Sequence, residues 1–401
     1  MLFIGGTREP GGVHIHTADV VQAAAALGCR ATIVSTTIDF FSSLVDRSLV
    51  DVEIESRLSI EQFYHRPRRS RPGRVRAWRE LLRRHHGSDI VLVEGSFAQI
   101  PLSELPFISP GPGRLYAIAH SPGLPRQEGN ATRRLYGALL GRRLRRMVAI
   151  SGQIRELAVA GFGLADARVA TCTNWISPRF QPADDNARVE ARRCLGLEQD
   201  ALVFGYLGRL SGDKRGEDLL HAFAAMLRDG PEGVRLIIAG DGWKADEWRE
   251  AARRLGIARR VVFAGWQSDP ARIYHALDCF VLPSLAEGFP LGVMEAMACG
   301  VPGLVHPMGS TLSLVEDGVS GFVGDMSAQD RFADGLRRVV SMSRDQLAVM
   351  GARASAHIAR HHSRQQRLPA VLEALDIALE DRPLPPPFPG RLQFRPWDSA
   401  P

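Results

Sequence analysis

Short apolar runs, each followed by a turn and usually by a helix-like segment, recur along the 401-residue chain. Predicted strands of this kind lie at 2–4, 31–35, 50–54, 90–93, 115–119, 147–150 and 167–170, and then at 202–208, 236–239, 261–266, 279–283 and 303–306. Strands that alternate with helices form parallel sheets, because a parallel connection needs a crossover helix. A chain of this length accommodates two or three domains. The alternation therefore predicts an α/β protein with two Rossmann-like domains.

The chain is basic, with a net charge of +6 and a pI of about 9.4. Nearly all of its cations are arginines, since lysine occurs only as Lys214 and Lys244. Such an imbalance reflects a coding bias, and it makes the position of a lysine informative. A nucleic-acid binder is the least favoured class, because no aromatic residues are interleaved with the Arg runs to form a stacking platform.

The cysteines and the apolar runs indicate where the protein resides. The five cysteines are scattered and none forms a C-x-x-C pair, which is typical of free thiols in a reducing cytosol. The N-terminus does not have the pattern of a signal peptide, and no apolar run approaches the roughly 20 residues that span a bilayer. We therefore predict a cytoplasmic protein.

The stretch from Glu287 to Glu295 follows the predicted strand at 279–283. It places Glu287 on the loop beyond a strand end and Glu295 about two turns into the next helix. Ligands of open parallel sheets bind beyond the carboxyl ends of the strands. Two carboxylates there can accept hydrogen bonds from a polyhydroxylated ligand. The backbone amides of Phe289 and Leu291, at the start of the helix, can face an anion.

This stretch resembles the E-x7-E motif of retaining glycosyltransferases with the GT-B fold, in particular family 4, and the resemblance extends from the first strand to about residue 360. It implies a GT-B architecture in which two Rossmann-like domains with parallel sheets face each other across a cleft. It also implies that Glu287 holds the donor sugar in a catalytic role and that Glu295 holds the nucleotide ribose.

Three further segments of the second half resemble donor-binding parts of the same family. The segment after strand 202–208 is similar to Gly-Arg-x4-Lys-Gly, which implies that Arg209 and Lys214 clamp the donor diphosphate. Arg215 is inserted before the final glycine and departs from that pattern. In the loop after strand 303–306, the resemblance implies amide contacts to the pyrophosphate from Thr311 and Leu312. After strand 261–266, it implies base contacts by Trp266 and Gln267.

The first half contributes a glycine turn and one histidine to the predicted site. Gly11 and Gly12 match the family's Gly-Gly turn near the donor phosphates and the acceptor. Glycine at such a turn lets the backbone approach a ligand closely. His120 follows the strand at 115–119, and the resemblance implies that it faces the donor sugar as a second catalytic group.

The resemblance also divides the chain. We predict an acceptor-side domain at 1–180 and a donor-side domain at 181–365. A C-terminal helix at 366–382 is expected to return to the first domain, and the Pro-rich tail at 383–401 is expected to be extended or disordered. Trp175 stands at the crossing between the domains, where the family usually has glycine.

These observations predict a metal-independent glycosyltransferase that moves a sugar from a nucleotide-diphosphate sugar to a hydroxyl acceptor with retention of configuration. The nucleotide sugar is a co-substrate, and we predict no cofactor and no metal. The acceptor can be a small molecule, a glycan or a lipid-linked molecule. Two alternatives remain: an inactive glycosyltransferase-like partner subunit and a nucleotide-sugar 2-epimerase.

Two Arg-rich segments, at 66–84 and 133–146, raise the hypothesis of peripheral contact with the inner face of the membrane. Basic side chains are attracted to anionic lipid. Trp78 with Leu81 and Leu82 is predicted to add an apolar edge to an interfacial helix. A solvated charged face and a cytosolic acceptor are the competing interpretation.

Overall fold

The computed structural model describes residues 1–5, 12–35, 41–55, 73–93, 114–120, 130–228, 230–379 and 383–386. The chain divides into two compact units. The first comprises 1–175 together with a C-terminal segment that begins at Gln365, and the second comprises 176–364. The first unit thus takes in the helix that was predicted to return, and the crossing between units lies directly after Trp175. Each unit contains one parallel sheet, as predicted.

The first unit is built on a parallel sheet. Within the described residues its strands are β1 (Leu2–Gly5), β2 (Ala31–Ser35), β3 (Val50–Ile54), β4 (Ile90–Val93), β5 (Leu115–Ala119), β6 (Leu144–Ala149) and β7 (Val169–Thr171). Their order across the sheet is β3-β2-β1-β4-β5-β6-β7. The described helices are α1 (Gly12–Ala26), α2 (Arg74–Arg84), α3 (Asn130–Gly141) and α4 (Gly152–Glu156), which a π-helical turn at Leu157–Gly161 extends.

The second unit repeats this plan. Its described strands are β8 (Leu202–Leu207), β9 (Val234–Ala239), β10 (Val261–Gly265), β11 (Cys279–Leu282), β12 (Gly303–Val305) and β13 (Gly321–Val323), in the order β10-β9-β8-β11-β12-β13. Its described helices are α5 (Asp185–Cys194), α6 (Gly216–Leu227), α7 (Ala245–Arg254), α8 (Pro270–Ala276), α9 (Leu291–Ala298), α10 (Gly309–Leu312), α11 (Gln329–Val340) and α12 (Arg344–His361). The next helix, α13 (Arg364–Ala374), belongs to the first unit from its second residue onward.

Large apolar side chains fill the space between the second sheet and its helices. The rings of Phe204 and Phe223 meet edge to face, and Trp248 and Phe332 are buried with them. The first residue of α6, Gly216, is buried against the indole of Trp248. A Cβ at Gly216 would lie 2.2 Å from that ring, so only glycine allows α6 and α7 to pack this closely.

A buried ion network fixes α5 beneath the second sheet. The carboxylate of Asp278 accepts hydrogen bonds from Arg188 at 2.6 Å and from Arg192 at 2.8 Å. It also accepts the backbone amide of Val203 at 2.7 Å. Arg192 is fully buried, and its remaining donors reach the carbonyls of Gln199, Ala201 and Ala276. The network compensates a charge that would otherwise be strongly unfavourable in the interior.

Two helical segments begin next to predicted site residues. Helix α1 begins at Gly12, within the predicted Gly-Gly turn. The loop after β12, which carries Thr311 and Leu312, forms the helical turn α10 at Gly309–Leu312. The hydroxyl of Thr311 accepts the amide of Met308 at 3.0 Å, which starts the turn. The amides of Leu314 and Val315 then bond back to the carbonyl of Thr311, which ends it.

Candidate functional site

The carboxyl ends of β8 and β11 bring two predicted site residues into direct contact. The ammonium group of Lys214, on the loop after β8, lies 2.6 Å from Oε1 of Glu287, on the loop after β11. Both side chains are largely buried, with exposed fractions of 18% and 15%. Lys214 had been predicted to bind phosphate and Glu287 to bind the sugar. The structure shows that the two groups form one ion pair.

The inserted residue Arg215 is an anchor for this pair. Its backbone is left-handed, with φ of 52°, and it precedes the first turn of α6. Its guanidinium group donates to the carbonyls of Pro283 at 3.2 Å and Met326 at 2.7 Å, and to the carboxylate of Asp218 at 2.8 Å. Arg215 therefore ties the Lys214 turn to the segment that leads to Glu287.

The loop that carries Arg209 is interlaced with the loop after β9. The amide of Leu210 donates to the carbonyl of Asp241 at 2.9 Å, and the amide of Lys244 donates back to Leu210 at 3.0 Å. Gly240 has φ of 131°, and a Cβ there would lie 1.8 Å from the carbonyl oxygen of Gly208. The side chain of Arg209 is exposed at the edge of this fixed backbone.

Glu295, the second carboxylate, lies on α9 beside a buried tyrosine. The hydroxyl of Tyr274 donates to Oε2 of Glu295 at 2.8 Å. Burial raises the pKa of Glu295 to about 7, although the hydrogen bond from Tyr274 and the charge of Arg179 oppose that shift. Glu295 is therefore close to the boundary between its charged and neutral forms at neutral pH.

The loop that carries Glu287 leads into a helix start and contacts a second one. Helix α9 begins at Leu291, directly after Phe289 and Pro290, and its N-cap makes no side-chain hydrogen bond. The amides of its first turn therefore have no side-chain cap, and anion binding by the amides of Phe289 and Leu291 stays a prediction. On the neighbouring loop, the hydroxyl of Ser310 donates to the carbonyl of Glu287 at 3.3 Å.

The hydroxyl of Thr311 and the amide of Leu312 are both used inside the protein, and the amide contact expected of Thr311 stays a prediction. Thr311 is fully buried, and its hydroxyl donates to the carbonyl of His306 at 2.6 Å. The amide of Leu312 donates to the carbonyl of Met308 at 2.9 Å, so it is already used inside α10. The expectation that this amide faces a pyrophosphate is therefore corrected, because the helical turn forms at these residues.

The predicted base-binding residues follow β10 at its carboxyl end. The side-chain amide of Gln267 donates to the carbonyl of Ala264 at 2.6 Å, and the carbonyl of Gly265 accepts the amide of Gly240 at 2.7 Å. Trp266 is partly exposed. Base binding by Trp266 and Gln267 stays a prediction.

In the first unit, His120 lies directly after β5 as predicted, and it is buried beside a second histidine. The rings of His120 and His16 are 6.5 Å apart, and His16 packs against Trp175 at 4.4 Å. The indole of Trp175 donates to Asp19 at 2.9 Å. His16 and His120 line one cavity, and Nδ1 of His16 has no hydrogen-bond partner in the described structure. Of the glycine turn, Gly12 is the first residue of α1, whereas Gly11 lies outside the described residues.

Acid should destabilise the first unit. Burial lowers the pKa of both His16 and His120 to about 3, below the ordinary value of 6.5. The unfolded chain therefore binds protons as the pH falls below 6.5, whereas the folded unit does not, and stability is lost progressively down to about pH 3. We expect the two histidines together to lower the free energy of unfolding by about 2.5 kcal/mol between pH 7 and pH 5.5.

Urea unfolding at the two pH values measures this loss. His16→Gln should remove about half of the pH dependence, whereas His221→Gln, at an exposed position on α6, should leave it intact. An unchanged pH dependence in His16→Gln would show that His16 titrates normally in the folded unit.

The predicted apolar edge for membrane contact is wrong. Helix α2 buries Trp78 and Leu81, with exposed fractions of 3% and 0%, and Arg74 is buried with them. The apolar face of this helix packs on the first unit and is not presented to a bilayer. No helix among the described residues is long and apolar enough to span a membrane. The cellular location stays a prediction.

Sequence reasoning missed several residues that contact or anchor the predicted site residues of each unit. Arg215 was noted only as a departure from a pattern, and Tyr274 and His16 were not singled out. Tyr274 carries no signal, since it lies in a helix of ordinary composition. Two histidines stand two positions apart at 14 and 16, directly after the glycine turn, and α1 buries both of them.

Comparison with known proteins gives two consecutive family matches. Residues 10–180 match the family described as Glycosyltransferase Family 4, and residues 188–357 match the family described as Glycosyl transferases group 1. The second match includes Lys214, Glu287 and Glu295. Together the two family matches cover most of the chain, from residue 10 to residue 357.

Individual relatives cover only part of the chain. It is 33% identical over 209 residues to a D-inositol 3-phosphate glycosyltransferase from Mycobacterium marinum, covering 50% of this chain and 43% of that protein. It is 27% identical over 198 residues to a UDP-Gal:alpha-D-GlcNAc-diphosphoundecaprenol alpha-1,3-galactosyltransferase from Escherichia coli, covering 48% and 51%. The chain thus spans about half the length of these curated relatives.

Among solved structures, the chain is similar in fold to Anabaena HepE in complex with UDP and glucose. The TM-score is 0.77 at 22% identity, and the match covers 94% of this chain and 98% of the other. At this identity the similarity establishes the GT-B fold.

Proposed function

We propose that this chain, with its family 4 and group 1 domains, transfers a glycosyl group from a nucleotide-diphosphate sugar to a hydroxyl acceptor with retention of configuration. The observation that carries the proposal is the contact between Lys214 and Glu287 at the carboxyl edge of the second sheet. In a nucleotide-diphosphate sugar, the diphosphate is bonded directly to the sugar. A cation that can bind phosphate and a carboxylate that can bind sugar hydroxyls, 2.6 Å apart, suit the two sides of that bond.

The pair has donors and acceptors left for a ligand. An ammonium group has three N–H donors, and Lys214 uses one of them on Glu287. The others can meet the departing diphosphate, with Arg209 beside them on the interlaced loop. Glu287 retains Oε2 for a sugar hydroxyl. Charge that develops on the leaving group is thereby stabilised by fixed cations, which is usually the largest single contribution to catalysis. We propose that these side chains neutralise the diphosphate without a metal.

Retention follows from the geometry we propose for the reaction. The bond from the anomeric carbon to the phosphate oxygen breaks, and a bond to the acceptor oxygen forms on the same face of the sugar. The departing phosphate takes the acceptor's proton, so no protein nucleophile is needed. Because His120 stays neutral, it serves as a hydrogen-bonding group toward the sugar and not as an acid.

The two alternatives are less well supported. An inactive partner subunit would have no need for a largely buried Lys–Glu pair. Burying two charges costs solvation free energy, and apolar side chains could fill the same space without that cost. A 2-epimerase would need a group that removes a proton from the sugar ring, whereas Glu287 is proposed to accept a hydrogen bond from a sugar hydroxyl.

The named relatives suggest donors to test first. The Escherichia coli relative is named for UDP-galactose, and the similar Anabaena structure contains UDP. We therefore propose a uridine diphosphate sugar as the leading candidate donor. The acceptors named for the two relatives, an inositol phosphate and a lipid-linked diphosphate, both carry phosphate.

A screen of nucleotide sugars by thermal shift tests the proposed function. A donor present at one hundred times its dissociation constant should stabilise the protein by about 2.7 kcal/mol. Proton NMR of the transferred sugar should then show the anomeric configuration of the donor. Absence of stabilisation by every UDP-, GDP- and ADP-sugar would reject the proposal.

Lys214→Met should weaken binding of the free nucleoside diphosphate and barely change binding of the nucleoside. Loss of one hydrogen bond to a charged group costs about 1.5–3 kcal/mol. Calorimetry with UDP and uridine compares the two. Lys244→Met is the matched control, because Lys244 is the other lysine and pairs with Glu247 on α7. An equal loss of affinity for UDP and for uridine would show that Lys214 does not contact the phosphates.

A further inference from the structure

A fully buried tyrosine directs its hydroxyl at one oxygen of Glu295. Tyr274 lies on α8 and has no exposed surface, and its hydroxyl is 2.8 Å from Oε2 of Glu295 on α9. A carboxylate has two oxygens that accept hydrogen bonds. With Oε2 engaged by the phenol, Oε1 is the oxygen left to meet a ligand.

Packing fixes the direction of this hydroxyl. The ring of Tyr274 meets Phe280 at 5.8 Å and Phe180 at 6.0 Å, both edge to face. On the third side lies Gly292, one turn before Glu295 on α9. A Cβ at Gly292 would come within 3.6 Å of the Tyr274 hydroxyl and 3.1 Å of the Phe280 ring. Because the ring is held on all these sides, the phenol is a rigid donor.

We propose that Tyr274 is a positioning residue that orients Glu295 to receive the vicinal hydroxyls of a ribose, and that it thereby contributes to selection of ribonucleotide donors. This inference rests on the proposed function, and in particular on the donor role of Glu295. Tyr274 itself does not touch the donor. It acts by holding the carboxylate in one rotamer, since a carboxylate free to rotate would lose orientational entropy on binding.

The charge on Glu295 depends on the same contact. The groups that face its carboxylate are the phenol of Tyr274 from α8, Arg179 from the segment before α5 and Cys299 at the end of α9. The phenol and Arg179 favour the charged form, whereas burial opposes it. Removing the phenol should therefore raise the pKa of Glu295, so that the carboxylate becomes protonated at higher pH than in the wild type.

Tyr274→Phe tests the proposal, because it removes the hydroxyl and keeps the ring. Calorimetry should compare UDP with 2′,3′-dideoxyuridine diphosphate, and GDP with its dideoxy analogue. We expect the wild type to prefer the ribonucleotide by about tenfold or more, as for loss of a hydrogen bond to a charged group. In Tyr274→Phe this preference should fall to about threefold or less, and the pH below which UDP affinity declines should move upward.

The control is Tyr136→Phe, which removes the hydroxyl of a buried tyrosine on α3 in the first unit. It should retain both the preference and the pH profile. If the wild type binds ribo- and dideoxynucleotides with equal affinity, the ribose-binding role of Glu295 is rejected, and with it that part of the proposed function. If the wild type discriminates and Tyr274→Phe discriminates equally, with an unchanged pH profile, the positioning role alone is rejected.

Discussion

Replacing Glu287 by glutamine should lower kcat by about 10²–10³-fold while leaving the fold intact. Glutamine keeps the size of the side chain and one oxygen, but it removes the charge that holds Lys214 at 2.6 Å. The substitution therefore releases the ammonium group from its fixed place and weakens the contact proposed for the sugar. The main loss should be in kcat with saturating donor, because the interaction matters most when charge develops on the leaving group.

Thermal unfolding and a matched variant separate this effect from misfolding. Glu232→Gln changes the same residue type on an exposed turn before β9 and should leave kcat unchanged. The double variant Glu287→Gln with Lys214→Met should lose less than the sum of the two single losses, because each single change already breaks the pair. Full additivity, or wild-type turnover in Glu287→Gln, would contradict the idea that the pair works as one unit.

Replacing Asp278 by alanine should destabilise the second unit by about 3–5 kcal/mol. Arg192 has no exposed surface and would keep its charge without a carboxylate partner. The amide of Val203, at the start of β8, would lose its acceptor in the same step. A chain of two units need not unfold in a single transition. The measurement should therefore follow the second unit alone, through the urea dependence of hydrogen exchange at the amides of β8 and β11.

Asp246→Ala provides the control for this loss. Asp246 also pairs with an arginine, Arg249, at 2.9 Å, but its side chain is 99% exposed. Removal of this pair should cost about 1 kcal/mol or less. Similar losses for Asp278→Ala and Asp246→Ala would mean that burial does not distinguish the two ion pairs.

Much of the fold was predictable because the strands of a parallel sheet are buried on both faces. Such strands read as continuous apolar runs, and the runs at 115–119, 202–207 and 279–282 were identified with nearly their observed bounds. Strand β6 was predicted to begin only at Met147, whereas it begins at Leu144. The charged residues Arg145 and Arg146 interrupt the apolar run at the start of this strand, so its first residues were not recognised. In the structure both arginines pair with Asp376 beyond α13. That partner is more than two hundred positions away and carries no local signal.

The site was predictable as a set of residues and not as a set of contacts. Lys214 and Glu287 were identified separately, but their pairing depends on which strands are neighbours, and β8 lies next to β11 only because the chain crosses back over the sheet. Trp78 and Leu81 show the opposite error. Helical spacing correctly placed them on one face, but the sequence does not say whether that face packs on the protein or on a lipid surface. Burial on the first unit is the tertiary fact that decides between the two.

The loops after β8 and β9 hold each other in place. The two loops exchange backbone hydrogen bonds, and Gly240 is pressed against the carbonyl of Gly208. These contacts fix the backbone on both sides of Arg209. If Arg209 binds a diphosphate as proposed, the diphosphate would meet a preformed receptor, and its capture would be limited by diffusion and electrostatic attraction and not by the ordering of a loop.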